Sequence, residues 1–182
     1  MSEVTAVPLR PIAKGSLVKL WAGVAIVLAA AVGAAYVGTR SQVAMAQSPE
    51  EYLAANAKRS GVVTTASGLQ YEVIKKGAGP KPGLGDMVLV DYDGKLVSGE
   101  SFDSSAAHGN GPAPLPVAGM IPGWTEGLQL MERGAKYRFW MPPALAYGDR
   151  GASDKIPPNA ITIFDVTLHE IAPASAMGGA PM

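Results

Sequence analysis

Few side chains in this chain could do covalent chemistry. Its 182 residues include no cysteine and only two histidines, His108 and His169. That excludes disulfides, a thiol nucleophile and thiolate metal ligation, and two lone histidines make neither a metal site nor a catalytic triad. No metal or other cofactor is expected. The groups that remain are aromatic rings and hydroxyls. Tyr147, in Ala146-Tyr147-Gly148, and Ile156, in Ile156-Pro157-Pro158, share a loop too rich in Pro and Gly to be strand or helix. Such groups can bury an apolar ligand and offer it a hydrogen bond. Lys+Arg and Asp+Glu are both 15, for a formal net charge of zero. No basic stripe with interleaved aromatics is visible, so no nucleic-acid partner is expected.

The elements that must position this loop alternate in hydrophobicity. Residues 136–141 present Tyr137, Phe139 and Met141 on one face, with Arg138 and Trp140 on the other. Residues 161–171 alternate Ile161, Ile163 and Asp165 against Thr162, Phe164, Val166 and Leu168. Upstream, Leu69, Tyr71 and Val73 share a face, as do Val88, Val90 and Tyr92, and residues 97–100 read as a hairpin turn. Residues 106–116 are almost all Gly, Pro and Ala and read as an exposed, mobile loop. The convincing helix of this region spans residues 121–131, with Pro122 in its first turn and Ile121, Trp124, Leu128 and Met131 in one apolar stripe. Strands without an alternating βα rhythm, plus one short helix, give an α+β domain: an antiparallel sheet with one face packed on the helix.

Residues 20–39 (LWAGVAIVLAAAVGAAYVGT) carry no charge, and about 20 apolar residues span a bilayer as a helix. Arg10, Lys14 and Lys19 precede the run and only Arg40 closely follows it, which places residues 1–19 in the cytoplasm. The run favours an uncleaved anchor, since it exceeds the roughly 7–15 residues of a usual signal core. The rival reading is a signal peptide cleaved near Ala46. Residues 40–67 form a linker whose Ser48-Pro49-Glu50-Glu51 is a helix-start signal with a capping box. That helix reads as a spacer with a weak docking face, too poor in apolar residues for a dimerisation stalk, so a monomer is expected. The domain proper takes residues 68–172, and residues 173–182 read as a disordered tail.

Six pieces in order carry a family likeness: Val90-Asp91-Tyr92-Asp93-Gly94, Phe102-Asp103-Ser104-Ser105, the run from Ile121 through Pro122, Gly123 and Trp124 to Leu128, Ala146-Tyr147-Gly148, Ile156-Pro157-Pro158-Asn159, and Phe164-Asp165-Val166. Over residues 68–168 the chain resembles the FKBP-type peptidyl-prolyl cis–trans isomerases, and residues 64–71 look like the bacterial exported subgroup. The resemblance implies a curved antiparallel sheet wrapped around one short helix. It also implies a pocket in which Tyr92, Phe102, Asp103, Tyr147 and Phe164 act on the substrate while Met120, Ile121, Trp124 and Ile156 bind it. Trp124 would floor the pocket, and the Tyr147 hydroxyl would donate to a substrate carbonyl. Met120 stands where the family usually has valine, and Leu115 where a Phe is expected.

The implied function is acceleration of folding of exported proteins, with proline-containing unfolded or exported polypeptides as partners and the membrane engaged through the N-terminal helix. The implied location is the inner membrane, single-pass, with the domain in the periplasm; the cleaved form would be soluble there. The alternative function is a chaperone or peptide-binding module with little catalysis. Phe139 and Trp140 are expected to be structural, Asp165 to serve inside the sheet, and both histidines to be solvent-exposed.

Overall fold

The apolar alternation becomes a single antiparallel sheet. The computed structural model describes residues 47–109 and 111–174, with Lys19, Ala22 and Val27 besides. The expected membrane segment at residues 20–39 lies outside these, Ala22 and Val27 apart, as does the tail from residue 175. Among the described residues no helix is long and apolar enough to cross a membrane.

In chain order the elements are α1 (Pro49–Asn56), β1 (Val62–Thr64), β2 (Gln70–Lys75), β3 (Met87–Leu96), β4 (Ser101–Ser104), α2 (Ser105–His108) and β5 (Ala113–Pro116). They continue with α3 (Pro122–Leu130), β6 (Lys136–Met141) and β7 (Thr162–Ala172). The strand order is β1-β2-β6-β7-β3-β4, with β5 also paired to β3, and every pairing is antiparallel. β3 and β7 form the longest ladder, from Met87 opposite Ala172 to Leu96 opposite Thr162.

Helix α3 packs on one face of this sheet and buries Gly123, Trp124, Gly127 and Leu128. A Cβ on Gly127 would lie 2.9 Å from the Phe139 ring, so the missing side chain is what lets the helix approach the sheet so closely. Around that contact Val90, Phe139, Met141, Phe164, Val166 and Leu168 are all essentially closed to solvent. The expected architecture, an antiparallel sheet packed on one helix, is what the chain adopts.

Two local expectations change. Residues 106–116 are not simply an open loop: they contain the end of the one-turn helix α2 and the strand β5. β5 pairs residue for residue with β3, Met87 to Val90 opposite Pro116 to Ala113, and its Leu115 packs against the core. Pro114 and Pro116 disguise the strand. A proline cannot donate to a ladder, but an edge strand bonded on one side tolerates it.

The connector helix is also more than a spacer. Ser48 and Glu51 form the expected capping box. Beyond it, the buried Asn56 amide donates to Gln70 Oε1 at 2.8 Å, and Gln70 Nε2 donates to the Leu53 carbonyl at 2.9 Å. Arg59 lies 5.2 Å above the Trp140 ring and donates to Asn56 Oδ1. This docking covers the sheet's second face, which explains why Phe139, Trp140 and Met141 are buried consecutively instead of alternating. On that same face Arg138 grips Asp165 through two bonds of 2.5 and 2.8 Å, so Asp165 lies within the sheet.

Asn56→Ala would leave the buried Gln70 Oε1 without its donor, at a cost of about 1–3 kcal/mol. Urea unfolding followed by circular dichroism should show that loss; an unchanged midpoint would mean that the connector adds nothing to stability.

Candidate functional site

The register of the sheet lines up one row of side chains under helix α3. Tyr71 faces Phe139, Phe139 faces Phe164, and Phe164 faces Gly94. At the glycine the row stops, and other rings fill the space. A Cβ on Gly94 would fall 2.8 Å from the Phe164 ring and 2.9 Å from that of Phe102. Any side chain there would have to push both rings aside.

Phe102 reaches this position through an irregularity in the ladder. Gly94 pairs with Asp103 and Lys95 with Ser101, which leaves Phe102 as one extra residue in β4. Such a bulge interrupts the strict inward–outward alternation. The side chains of both Phe102 and Asp103 therefore serve the same side: the Phe102 ring is buried with the core, and Asp103 bonds to Tyr92.

The rings then meet edge to face. Phe102 and Phe164 are 5.5 Å apart at 89°, Trp124 and Phe164 5.3 Å at 77°, and Tyr92 and Trp124 5.4 Å at 87°. Tyr147 approaches Phe102 at 6.3 Å and 86°. These are the distances and angles at which the positive edge of one ring meets the negative face of the next. Trp124 and Phe164 are buried, while Tyr92 and Tyr147 remain partly open. The result is an aromatic cluster with the partly open Tyr92 and Tyr147 at its edge.

Its polar edge is organised by Asp103. Tyr92 Oη donates to Asp103 Oδ2 at 2.9 Å, while the other oxygen accepts the Ser104 N–H at 2.8 Å and lies 2.7 Å from His108 Nε2. Burial, together with the hydrogen bond and charge of Asp103, pushes the Tyr92 phenol well up. Burial and then the Asp103 charge push Tyr147 up as well. Both hydroxyls therefore stay protonated, as donors, throughout the neutral range.

The loop between β6 and β7 is held by its own backbone. A short 3-10 turn at Pro143–Leu145 begins it, and the Gly148 N–H donates to the Pro143 carbonyl at 2.8 Å. The Asn159 N–H closes back on the Gly148 carbonyl at 2.9 Å, and Ala152 and Ile156 exchange two bonds of 3.0 Å. Ile156 is thereby buried in the core, and Tyr147 is set beside Phe102. Across the gap Lys155 Nζ lies 3.5 Å from the Phe102 carbonyl. Met120 and Ile121, just ahead of α3, are partly buried against the same cluster. Ile121 caps the helix in an extended conformation, its carbonyl accepting the Trp124 and Thr125 N–H groups.

Tyr92, Phe102, Asp103, Trp124, Tyr147 and Phe164 thus form one connected set of ring contacts and hydrogen bonds, and Met120, Ile121 and Ile156 pack into the core around it. Two further residues belong to the arrangement. Gly94 stands inside one of the quoted motifs yet offers no chemistry of its own. His108 is exposed, as expected, but is also bonded to Asp103, five residues back in β4, and nothing in the sequence signals that contact. A separate groove of about 260 Å³ lies between the start of α1, residues 96–98 and residues 157–161, and contains none of these side chains.

Comparison with known proteins agrees with this geometry. Residues 79–169 match the family described as FKBP-type peptidyl-prolyl cis-trans isomerase, and residues 30–73 match the domain amino terminal to it. The probable isomerase FkpA of Neisseria meningitidis is 50% identical over 133 residues, which cover 72% of this chain and 48% of that protein. FkpA of Aeromonas hydrophila is 54% identical over 129 residues, covering 71% and 47%. The chain therefore spans about half the length of these curated relatives. The crystal structure of FkpA from Escherichia coli superposes with a TM-score of 0.66 at 37% identity, covering 90% of this chain and 75% of that one.

Gly94→Ala should force two buried rings apart. The overpacking, less the gain from stiffening the unfolded chain, is expected to cost about 1–2 kcal/mol. Near-ultraviolet circular dichroism would report the displaced rings; an unaltered spectrum and unfolding midpoint would show that they do not need the space.

Proposed function

We propose, for a chain that belongs to the FKBP-type peptidyl-prolyl cis–trans isomerase family, that residues 68–172 accelerate rotation about X-Pro bonds in exported, proline-containing polypeptides. The observation that carries this reading is the edge-to-face cluster of Tyr92, Phe102, Trp124 and Phe164 with hydroxyl donors at its rim. In this reading the proline ring enters over Trp124, between Phe102, Phe164 and Ile156. The Tyr147 hydroxyl donates to a substrate carbonyl. Asp103 and Tyr92 form the polar wall, and the backbone at Met120 and Ile121 lies alongside the peptide.

Rotation of a peptide bond must cross about 18–20 kcal/mol, because amide resonance is lost at the twisted state. The twisted amide is less charge-separated than the planar one and loses less on leaving water. A dry aromatic site therefore favours it without forming or breaking any bond. A 10⁴-fold acceleration needs only about 5.5 kcal/mol of preferential binding to that state. Burial of the proline ring plus one hydrogen bond that strengthens on twisting is of that order.

The test is isomerisation of a short X-Pro peptide by the purified chain. Tyr147→Phe is expected to lower kcat/KM by about tenfold, the value of one hydrogen bond, and Trp124→Ala by more. A folded chain that accelerates nothing would sink the isomerase reading. Suppression of aggregation that survives both substitutions, with negligible turnover, would favour a holding chaperone.

The charge-free run at residues 20–39 and the basic residues before it further support a tether in the inner membrane, with the domain on the periplasmic side. Sequencing the N-terminus of the natively produced protein decides between tether and leader. The uncleaved N-terminus is expected; a mature start at Gln47 would make the domain a soluble periplasmic one.

A further inference from the structure

We propose that His108 is a positioning residue for this site: it clamps Asp103, and through Asp103 the Tyr92 hydroxyl, most firmly when its imidazole is protonated. The inference rests on the isomerase reading above.

The chain has two histidines, and each lies 2.7 Å from an aspartate: His108 Nε2 from Asp103 Oδ1, and His169 Nε2 from Asp91 Oδ2. The two aspartates flank the same short helix. Ser105, its first residue, is buried; its Oγ accepts the Tyr92 N–H at 3.2 Å and lies 3.4 Å from Asp91 Oδ1. His108, its last residue, folds back onto Asp103. The start of α2 is therefore tied to β3 and its end to β4, the two strands that carry Tyr92, Phe102 and Asp103.

The division of labour at Asp103 gives the clamp its leverage. One oxygen is committed to Tyr92 Oη, the other to the Ser104 N–H and the imidazole. Rotation of the carboxylate toward solvent would break both sets at once. The other titratable or charged groups around it are Tyr92 on β3, Tyr147 on the β6–β7 loop, and Lys155, whose Nζ lies near the Phe102 carbonyl. Tyr92 and Tyr147 stay neutral through the physiological range, and lysine ordinarily stays charged there. His108 is thus the group in this set whose residue type changes charge between about pH 5 and 8.

A neutral imidazole can hold the carboxylate only in the tautomer that places its proton on Nε2. An imidazolium donates from both nitrogens, and its charge-assisted bond is roughly twice as strong. Because His108 is 64% exposed, solvent screens most of that difference. The effect on the reaction should accordingly be small and graded. We expect kcat/KM for an X-Pro peptide to be about two- to fivefold higher at pH 6 than at pH 8, chiefly through KM, with the difference shrinking as salt is added.

The experiment follows isomerisation by the full chain in detergent with a protease-free readout, nuclear magnetic resonance exchange of an X-Pro peptide, from pH 5.5 to 8. His108→Ala should give the low value with a flat profile, and His108→Arg the high value with a flat profile. His169→Ala should keep the slope, since its partner Asp91 bonds to Ser105 and not to Asp103 or the Tyr92 hydroxyl. A flat profile in the unaltered chain overturns the clamp while leaving the isomerase reading intact. So does a loss in His108→Ala that arginine fails to restore. Absence of turnover at every pH removes the isomerase reading instead. In that case the ring resonances of Tyr92 decide the clamp: it requires them to shift as the His108 imidazole titrates, and fails if they stay fixed.

Discussion

How close aromatic rings can come to the backbone beneath them sets the rest of this structure. Over β3, Phe102 and Phe164 occupy the volume where a side chain of residue 94 would stand, and under α3 the Phe139 ring occupies that of residue 127. The first absence lets two rings meet at the centre of the site. The second lowers the helix until Trp124 touches Phe164 from above. Glycine weakens strands and helices by roughly 0.5–1 kcal/mol in isolation. Here that loss is offset by aromatic surface closed to water, of which each ring contributes 150–250 Å². The edge-to-face packing of Phe102, Trp124 and Phe164 depends on these two contacts.

The second face of the sheet is closed for a different reason. Trp140, Gln70, Arg138 and Asp165 could not all face water without leaving a large ring exposed and the guanidinium–carboxylate pair screened. The connector covers Gln70 and Trp140. Its buried Asn56–Gln70 bond and the Arg59–Trp140 contact make the residues ahead of the domain part of its packing. The face of the sheet opposite α3 is thus partly closed by residues ahead of the domain.

How much of this was legible in the sequence depends on how local each cause is. Trp124 announces itself because helical spacing from Ile121 to Met131 and the flanking Pro122 and Gly134 are properties of one short stretch. Tyr147 and Phe164 are legible through the order of the motifs around them, which also conveys the family and the sheet-on-helix architecture. Phe102 and Asp103 are legible as a pair, but not the means by which neighbours in a strand come to serve one side, because a bulge is set by the partner strand. β5 is hidden by its prolines, which composition reads as loop and only an edge position permits. Asn56 is an ordinary polar residue until Gln70, fourteen positions later, is seen opposite it. His108 looks like a solvated side chain for the same reason: nothing in the chain indicates that a helical turn will bring it back to Asp103.

The crowding at residue 94 also bears on how such a site can change over generations. Phe164 and Phe102 must both give way if the glycine acquires even a methyl group, so the three positions are not free to vary independently. A lineage that exchanged Gly94 first would carry an overpacked core, at about 1–3 kcal/mol. One that first cut a ring back to alanine would carry a cavity, at about 3–5 kcal/mol. Either route crosses a less stable sequence before the second exchange relieves it, so change in this corner of the domain should come in coupled steps.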